Sequence, residues 1–190
     1  MATSVFLLDD HEVVLRGLRA LLKEEEDLKV VGEADTAEEA LAQVPSVRPD
    51  VAILDLRLPD GDGIEVCRAL REVRPELKCL TLSGSCDDAT LVSAIVAGAS
   101  GCVLKRTRGP AIIAAVRRVA AGASLFDPVL IRQARERLQN EKFENERFSL
   151  LTPRQKAIVD LLAKGIRIDK STGVSGLPKR RPRTASRSCS

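Results

Sequence analysis

The sequence predicts an α/β domain whose doubly wound, five-stranded parallel sheet occupies residues 1–124. Five short apolar runs alternate with amphipathic stretches of helical period, as in repeated strand–helix units. Each run is apolar throughout, which is typical of parallel strands that are buried on both faces. With 190 residues, of which 44% are hydrophobic, the chain is long enough for this domain and a smaller second part.

The strand–helix units follow one another along the chain. Strands are predicted at residues 5–8, 28–31, 51–54, 79–82 and 102–104. Helices are predicted at residues 13–22, 37–44, 64–73, 89–97 and 110–121. Residues 125–149 are rich in Arg, Glu and Gln, carry apolar residues at helical spacing, and predict a solvated linker helix.

The second part of the chain contains one helical pattern and a basic tail. Residues 150–166 predict a helix with Thr152 as N-cap, Pro153 at its first position and Gly165 at its end. Residues 167–190 have too few apolar residues for an amphipathic helix and predict a disordered tail. Five basic residues crowd into the last dozen positions: Lys179, Arg180, Arg181, Arg183 and Arg187.

The composition argues against a membrane protein and a zinc protein. No apolar run approaches the roughly 20 residues that a membrane-spanning helix needs. The first residues lead into acidic ones instead of a basic leader, so we expect a cytoplasmic protein with no membrane partner. The five cysteines lack C-x-x-C spacing and the chain has a single histidine, so we expect reduced thiols.

Polar residues follow four of the predicted strands at their carboxyl ends. Asp9 and Asp10 follow the first strand, Asp55 the third, Ser83 the fourth and Lys105 the fifth. Ligands of open parallel sheets bind beyond the carboxyl ends of the strands. Taken singly, such residues are usually helix caps or solvated side chains, but five at one sheet edge predict a site.

The residue types in this set indicate phosphoryl chemistry. Clustered carboxylates repel one another unless a cation neutralises them, which favours an oxygen-bound Mg²⁺. Asp55 could then attack phosphorus, with Lys105 offsetting the charge and Ser83 bonding a phosphoryl oxygen. His11 lies beside two aspartates at a helix start, and we interpret it as a solvent-facing polar residue without chemistry.

Three motifs carry a resemblance to a known family: LDDHEVV at residues 8–14, DVAILDLRLPDGDG at 50–63 and AGASGCVLK at 97–105. Over residues 1–122 the chain resembles the receiver domains of two-component response regulators. It is most similar to the NarL/FixJ subfamily, whose output domain is a LuxR-type helix-turn-helix, and within it to DevR/DosR-like regulators. The resemblance implies a flavodoxin-like, CheY-like strand order 2-1-3-4-5.

The resemblance also implies roles for the residues at the strand ends. It implies a Mg²⁺ site made of Asp9, Asp10, Asp55 and the main-chain carbonyl of Arg57. Asp55 would accept the phosphoryl group from a sensor histidine kinase, and Ser83 and Lys105 would sense it. Such a protein is a self-phosphorylating phosphoacceptor and not a conventional enzyme. The sequence departs from the family at Cys102, where an aromatic residue that moves during switching is usual.

Residues 151–165, LTPRQKAIVDLLAKG, resemble the first helix of a LuxR-type helix-turn-helix. The recognition helix that should follow is absent from the sequence. Loss of one nucleotide near Arg167 would explain this, because degenerate codons for residues 168–171 can be read in a shifted frame as Asn-Arg-Gln-Ile. We therefore hypothesise that the output domain is truncated by a frameshift, with nonspecific contact of the basic tail to nucleic acid as the alternative.

Three functions compete at this point. The first is a transcriptional regulator by descent, controlled by phosphorylation and with incomplete DNA binding, as a homodimer or a heterodimer with intact homologues. The second is a receiver-only protein that acts as a phosphate sink or inhibitory partner. The third is an aspartyl phosphatase of the haloacid-dehalogenase type, which needs an acid two residues after the nucleophile, where this chain has Arg57.

Overall fold

The computed structural model describes residues 2–149 and two short strands at residues 168–169 and 173–174. The chain divides into two compact units, Met1–Gln139 and Asn140–Ser190. The first unit holds five long strands: β1 (Thr3–Leu8), β2 (Leu28–Ala34), β3 (Val51–Asp55), β6 (Lys78–Ser83) and β7 (Gly101–Leu104). Its connecting helices are α1 (Glu12–Lys23), α2 (Ala37–Val47), α3 (Gly63–Val73), α4 (Asp88–Val96) and α5 (Gly109–Ala120).

The five long strands form one parallel sheet in the order β2-β1-β3-β6-β7. Counted among the long strands, this is the order 2-1-3-4-5, so the predicted doubly wound topology is confirmed. All ten predicted elements are present, with ends that differ from the predicted ones by up to three residues. The sheet register brings Asp55 opposite Leu82 and Ser83 opposite Leu104, at one edge of the sheet.

The two faces of the sheet bury separate apolar clusters, because successive residues of a strand point to opposite sides. On one side β1 and β3 pack against α1 and α5 through residues that include Leu7, Ile53, Leu18, Leu22 and Val116. On the other side they pack against α2 and α3 through residues that include Phe6, Leu54, Val44, Val66 and Leu70. Burial of each such side chain contributes roughly 1.5–3 kcal/mol to the stability of the folded domain. Because helices cover both faces of the sheet, the strands are apolar at successive positions.

A two-stranded hairpin that the sequence did not predict follows the third long strand. β4 (Arg57–Leu58) pairs antiparallel with β5 (Gly61–Asp62). The Asp60 carboxylate at its tip accepts hydrogen bonds from the backbone N–H groups of Ala37 and Glu38, at 2.9 and 3.1 Å. Strands of two residues are too short to show a period in the sequence, so the hairpin is visible only as turn residues.

The long helix α6 (Pro128–Ser149) follows the sheet domain. Within the first unit, Phe126 and Ala134 are buried. The helix predicted at residues 150–166 lies outside the described residues. Of the predicted tail at 167–190, the structure describes only β8 (Ile168–Asp169) and β9 (Gly173–Val174), which pair antiparallel. Among the described residues, no helix is both long and apolar enough to cross a membrane.

Candidate functional site

The predicted site residues lie together at the carboxyl edge of the sheet. Asp9 directly follows β1, Asp55 ends β3, Ser83 ends β6 and Lys105 directly follows β7. The backbone N–H of Lys105 donates to the carbonyl oxygen of Ser83 at 2.8 Å, which continues the pairing of the two strands beyond their ends. The parallel topology therefore brings these four residues to one place, although they span nearly a hundred positions of sequence.

The ammonium group of Lys105 bridges two buried carboxylates. Its Nζ lies 2.8 Å from Asp55 Oδ2 and 2.8 Å from Asp9 Oδ2. The side chain of Asp9 is 0% exposed and that of Asp55 is 3% exposed. Two carboxylates thus share one cation, and their burial weakens the screening of their repulsion by water. The centre retains negative charge that a second cation could neutralise.

The titration behaviour of the pair follows from this shared contact. Burial raises the pKa of Asp55 above its ordinary value, and the neighbouring Asp9 charge acts in the same direction. The hydrogen bond from Lys105 and the backbone N–H of Arg57 oppose this rise without cancelling it. Burial alone would lower the pKa of Lys105, but its bonds to Asp55 and Asp9 outweigh burial and raise that pKa.

Asp10 and His11 complete the acidic cluster. His11 Nδ1 lies 2.5 Å from Asp10 Oδ1 and 3.2 Å from Asp9 Oδ1, and the His11 backbone N–H donates to Asp9 Oδ1 at 3.0 Å. One side-chain atom from each of Asp9, Asp10, His11 and Asp55 lies within 4.8 Å of the others, a spacing that suits a metal ion. The His11 side chain is 64% exposed, as predicted for a solvent-facing residue, yet it contacts both aspartates.

Ser83 lies at the mouth of the site, where its own loop holds its hydroxyl group. Ser83 Oγ donates to the Ser85 carbonyl oxygen at 2.5 Å and accepts the Ser85 backbone N–H at 3.2 Å. Between this loop and the acidic residues lies a cavity of about 300 Å³, which His11, Asp55, Arg57, Ser83 and Lys105 help to line. The cavity is large enough for a small anionic group above the Asp55 carboxylate.

Arg57 and Gly63 shape the backbone around Asp55. Arg57 begins β4, is exposed and lines the cavity. Gly63, which sequence reasoning missed, begins α3, and its N–H donates to the Leu56 carbonyl oxygen at 3.1 Å. A Cβ at Gly63 would lie 1.8 Å from the Asp55 carbonyl oxygen. The signal for Gly63 in the sequence was only a second glycine in the motif that follows Asp55.

Comparisons with known proteins identify the sheet domain. Residues 5–117 match the family model of the response regulator receiver domain. The chain is 46% identical over 162 residues to the DNA-binding transcriptional activator DevR/DosR of Mycobacterium tuberculosis, covering 85% of this chain and 75% of that protein. It is 33% identical over 165 residues to the response regulator protein VraR of Staphylococcus aureus, covering 87% of this chain and 78% of that protein.

Solved structures give the same family. A LuxR-family two-component response regulator from an Aurantimonas species superposes with a TM-score of 0.64 and 30% identity, covering 72% of this chain and 98% of that one. The isolated receiver domain of RcsB from Salmonella enterica superposes with a TM-score of 0.61 and 27% identity, covering 70% and 99%. The resemblance that the motifs predicted is confirmed, and the chain belongs to the receiver-domain family of two-component response regulators, in its NarL/LuxR branch.

Proposed function

We propose that Asp55 of this response regulator accepts a phosphoryl group and that the resulting aspartyl phosphate controls transcription. The contact of Lys105 with the Asp9 and Asp55 carboxylates, below an open cavity, carries this proposal. A buried carboxylate that faces a cavity and is already paired with an ammonium group is suited to receive a dianionic group. The site residues in this role are Asp55 as phosphoacceptor with Ser83 and Lys105 as the groups that contact the phosphoryl oxygens.

The acidic cluster fits a magnesium ion. Carboxylate oxygens are hard ligands, which Mg²⁺ prefers, and one ammonium group does not neutralise Asp9 and Asp55 together. The ligands in this proposal are Asp9, Asp10, Asp55 and the main-chain carbonyl of Arg57. When bound, the ion would supply positive charge next to the phosphoryl oxygens. His11 lies in the same cluster without a role in the proposal.

The side chains of this site act in a defined order. An Asp55 carboxylate oxygen attacks phosphorus, and the bond between phosphorus and its donor breaks as the acyl phosphate forms. Lys105 then moves its hydrogen bond from the Asp55 carboxylate to a phosphoryl oxygen. The Ser83 hydroxyl leaves the Ser85 carbonyl oxygen and donates to another phosphoryl oxygen, which draws the loop after β6 towards Asp55. This displacement shifts the population between two receiver conformations.

The phosphoacceptor is tested by intact mass after incubation with Mg²⁺ and acetyl phosphate or a phosphorylated histidine kinase. We expect one phosphoryl addition in the wild type and none in Asp55→Asn. Asp60→Asn is the matched control, because Asp60 lies after Asp55 in the chain but outside the cavity, and asparagine keeps one acceptor oxygen for the Ala37 N–H at the start of α2. Addition that persists in Asp55→Asn, or no addition from any donor, would overturn the proposal.

The proposed role in transcription is inferred from the relatives of this chain. DevR/DosR is a DNA-binding transcriptional activator, and by this relationship we propose transcription control by a cytoplasmic protein with a sensor histidine kinase as partner. The proposed organisation is a receiver at residues 1–124, a linker helix at 125–149, a first helix-turn-helix element at 150–166 and a basic tail at 167–190. The proposed assemblies are homodimers, or heterodimers with intact homologues that would supply a complete output domain.

Specific DNA binding separates this output from a receiver-only role. We expect any binding by the full chain to depend steeply on salt and to discriminate little between operator and random DNA, because the sequence predicts no recognition helix after residue 166. Operator binding that is at least about a thousandfold tighter than random binding would contradict the truncated output. Resequencing the gene tests the frameshift, which requires a nearby frame that continues the helix-turn-helix.

A further inference from the structure

Two cysteines outside the phosphoryl site lie against each other. Cys102 belongs to β7, and Cys86 belongs to the loop between β6 and α4. Their Sγ atoms are 3.0 Å apart, so that one thiol donates a hydrogen bond to the other. This separation is roughly 1 Å longer than a disulfide bond of about 2.05 Å. A small movement of the loop would therefore bring the two sulfur atoms to bonding distance.

The surroundings of this pair allow a small oxidant to reach it. Cys86 and Cys102 are only partly buried, and both line an apolar groove of about 490 Å³ that opens between β7, α5 and the start of α6. The other described cysteines differ in this respect. Cys67 and Cys79 are fully buried, and the Cys67 thiol donates to the Ala97 carbonyl oxygen. A small oxidant should therefore reach Cys86 and Cys102 more readily than the two buried cysteines.

We propose that Cys86 and Cys102 are a site of reversible oxidation to an intramolecular disulfide, with a peroxide as the oxidant. One thiolate attacks a peroxide oxygen and becomes a sulfenic acid as the O–O bond breaks and water leaves after proton transfer. The second thiolate attacks that sulfur, the S–S bond forms, and the sulfenic oxygen leaves as a second water. The two thiols lose two electrons and two protons, and hydrogen peroxide is reduced to two waters.

The thiol chemistry also sets the rate of this reaction. Burial, and then the hydrogen bond with Cys102, raise the pKa of Cys86 to about 12. Near neutral pH the Cys86 thiol is therefore almost entirely protonated, and the thiolate is the species that reacts. We therefore expect the disulfide to form faster as the pH rises.

The disulfide would restrain the loop that carries the phosphoryl-contacting hydroxyl. Cys86 follows Ser83 by three residues and directly precedes Asp87, whose carboxylate caps α4 by accepting the Thr90 N–H at 2.8 Å. Cys102 lies on β7, three residues before Lys105, which directly follows that strand. A bond between the sulfur atoms would therefore tether the loop after β6 to the strand that leads to Lys105. This consequence rests on the proposed function, because it assumes that Ser83 moves on phosphorylation.

The disulfide itself is tested on the full chain in a Cys189→Ser background, which removes the one cysteine outside the described residues. The protein is treated with hydrogen peroxide at several pH values, alkylated, digested and analysed by mass spectrometry. We expect a linked pair of peptides containing Cys86 and Cys102, reversed by dithiothreitol and absent from Cys86→Ser and Cys102→Ser. Oxygen addition without this linkage, or linkage of Cys67 to Cys79 instead, would overturn the proposal.

The effect on the site is measured with Mg²⁺ and acetyl phosphate on the oxidised and reduced forms of the same protein. We expect the disulfide to slow phosphorylation several-fold, because it restrains the loop that carries Ser83, and Cys86→Ser to remove the difference. Equal rates in a verified disulfide form would refute the coupling. A reduced protein that accepts no phosphoryl group would refute the proposed function, and peptide mapping would still decide the disulfide.

Discussion

Gly63 lies so close to Asp55 that a methyl group on its α-carbon would be 1.8 Å from the Asp55 carbonyl oxygen. The same added carbon would lie 2.9 Å from the Leu56 α-carbon, so neither contact can be relieved by a side-chain rotation. The backbone of the proposed phosphoacceptor therefore packs directly against the start of α3. Only glycine fits at position 63 without moving that backbone.

Gly63→Ala should lower both stability and phosphorylation. Overpacking lowers the free energy of unfolding by about 1–3 kcal/mol. Displacement of the Asp55 backbone should also slow phosphorylation by acetyl phosphate. Urea unfolding and intact-mass kinetics measure the two effects. Gly17→Ala is the matched control, because nothing lies within 4 Å of a Cβ there and α1 should gain about 0.8–1 kcal/mol from alanine. Equal stability of Gly63→Ala and the wild type would contradict the close approach.

Magnesium should stabilise the folded protein through the acidic cluster. An ion that binds the folded state alone adds about 2.7 kcal/mol at a concentration of a hundred times its Kd. We expect the thermal midpoint to rise with Mg²⁺ and to return after chelation with EDTA. Asp10→Asn should weaken this response and Asp60→Asn should keep it. If Mg²⁺ raises the thermal midpoint of Asp10→Asn as much as that of the wild type, Asp10 is not a ligand of the ion.

Arg48→Gly should stabilise the end of α2. Arg48 has a φ of 47°, in the left-handed region that costs most residues roughly 1–2 kcal/mol. Glycine adopts this conformation freely but loses about 0.5–1 kcal/mol of chain entropy, so we expect a net gain of about 0.5–1 kcal/mol. Chemical denaturation of the variant tests this, with Arg48→Ala as a control that keeps the strain. A gain of the same size in Arg48→Ala would assign the effect to lost charge.

The contact between Ser4 and Asp50 should make stability depend on pH. Ser4 Oγ donates to Asp50 Oδ2 at 2.6 Å, and the Ser4 backbone N–H donates to the same atom at 2.8 Å. These bonds, the hydroxyl first, lower the pKa of Asp50. Because the folded-state pKa lies below that of the unfolded chain, this stabilisation is complete above about pH 4 and is lost as the pH falls further.

Ser4→Ala should therefore cost about 1 kcal/mol at neutral pH and less under acid conditions. Urea unfolding at pH 7 and near pH 3 measures the difference, and Asp50→Asn provides the second arm of a double-mutant cycle. The two substitutions should be non-additive at pH 7. An identical cost of Ser4→Ala at both pH values would contradict the role of the Asp50 charge.

The sheet domain was predictable because its signals are long and repeat. Strands such as β3 are buried on both faces and therefore apolar at every position, which marks their length directly in the sequence. The meeting of Asp9, Asp55 and Lys105 was also predictable, since parallel strands present their carboxyl ends at one edge. These inferences needed topology and residue type, and no side-chain geometry.

Details that depend on local geometry could not be predicted. The β4–β5 hairpin has strands of two residues, and Gly63 was required by a distance that appears only in three dimensions. The extension of α2 to Val47 passes through Pro45, a residue that normally argues against helix. The thiol contact of Cys86 with Cys102 joins residues that are sixteen positions apart and share no motif.

The two segments that flank Asp55 in space are held in different ways. The hairpin after Asp55 is anchored to the first turn of α2 by two hydrogen bonds, and Gly63 closes it against Leu56. The loop after β6 is held by short-range bonds between Ser83 and Ser85 and by the thiol contact of Cys86. If Asp55 is phosphorylated as proposed, the loop after β6 can therefore move by exchanging bonds within itself, whereas movement of the hairpin would break its bonds to α2.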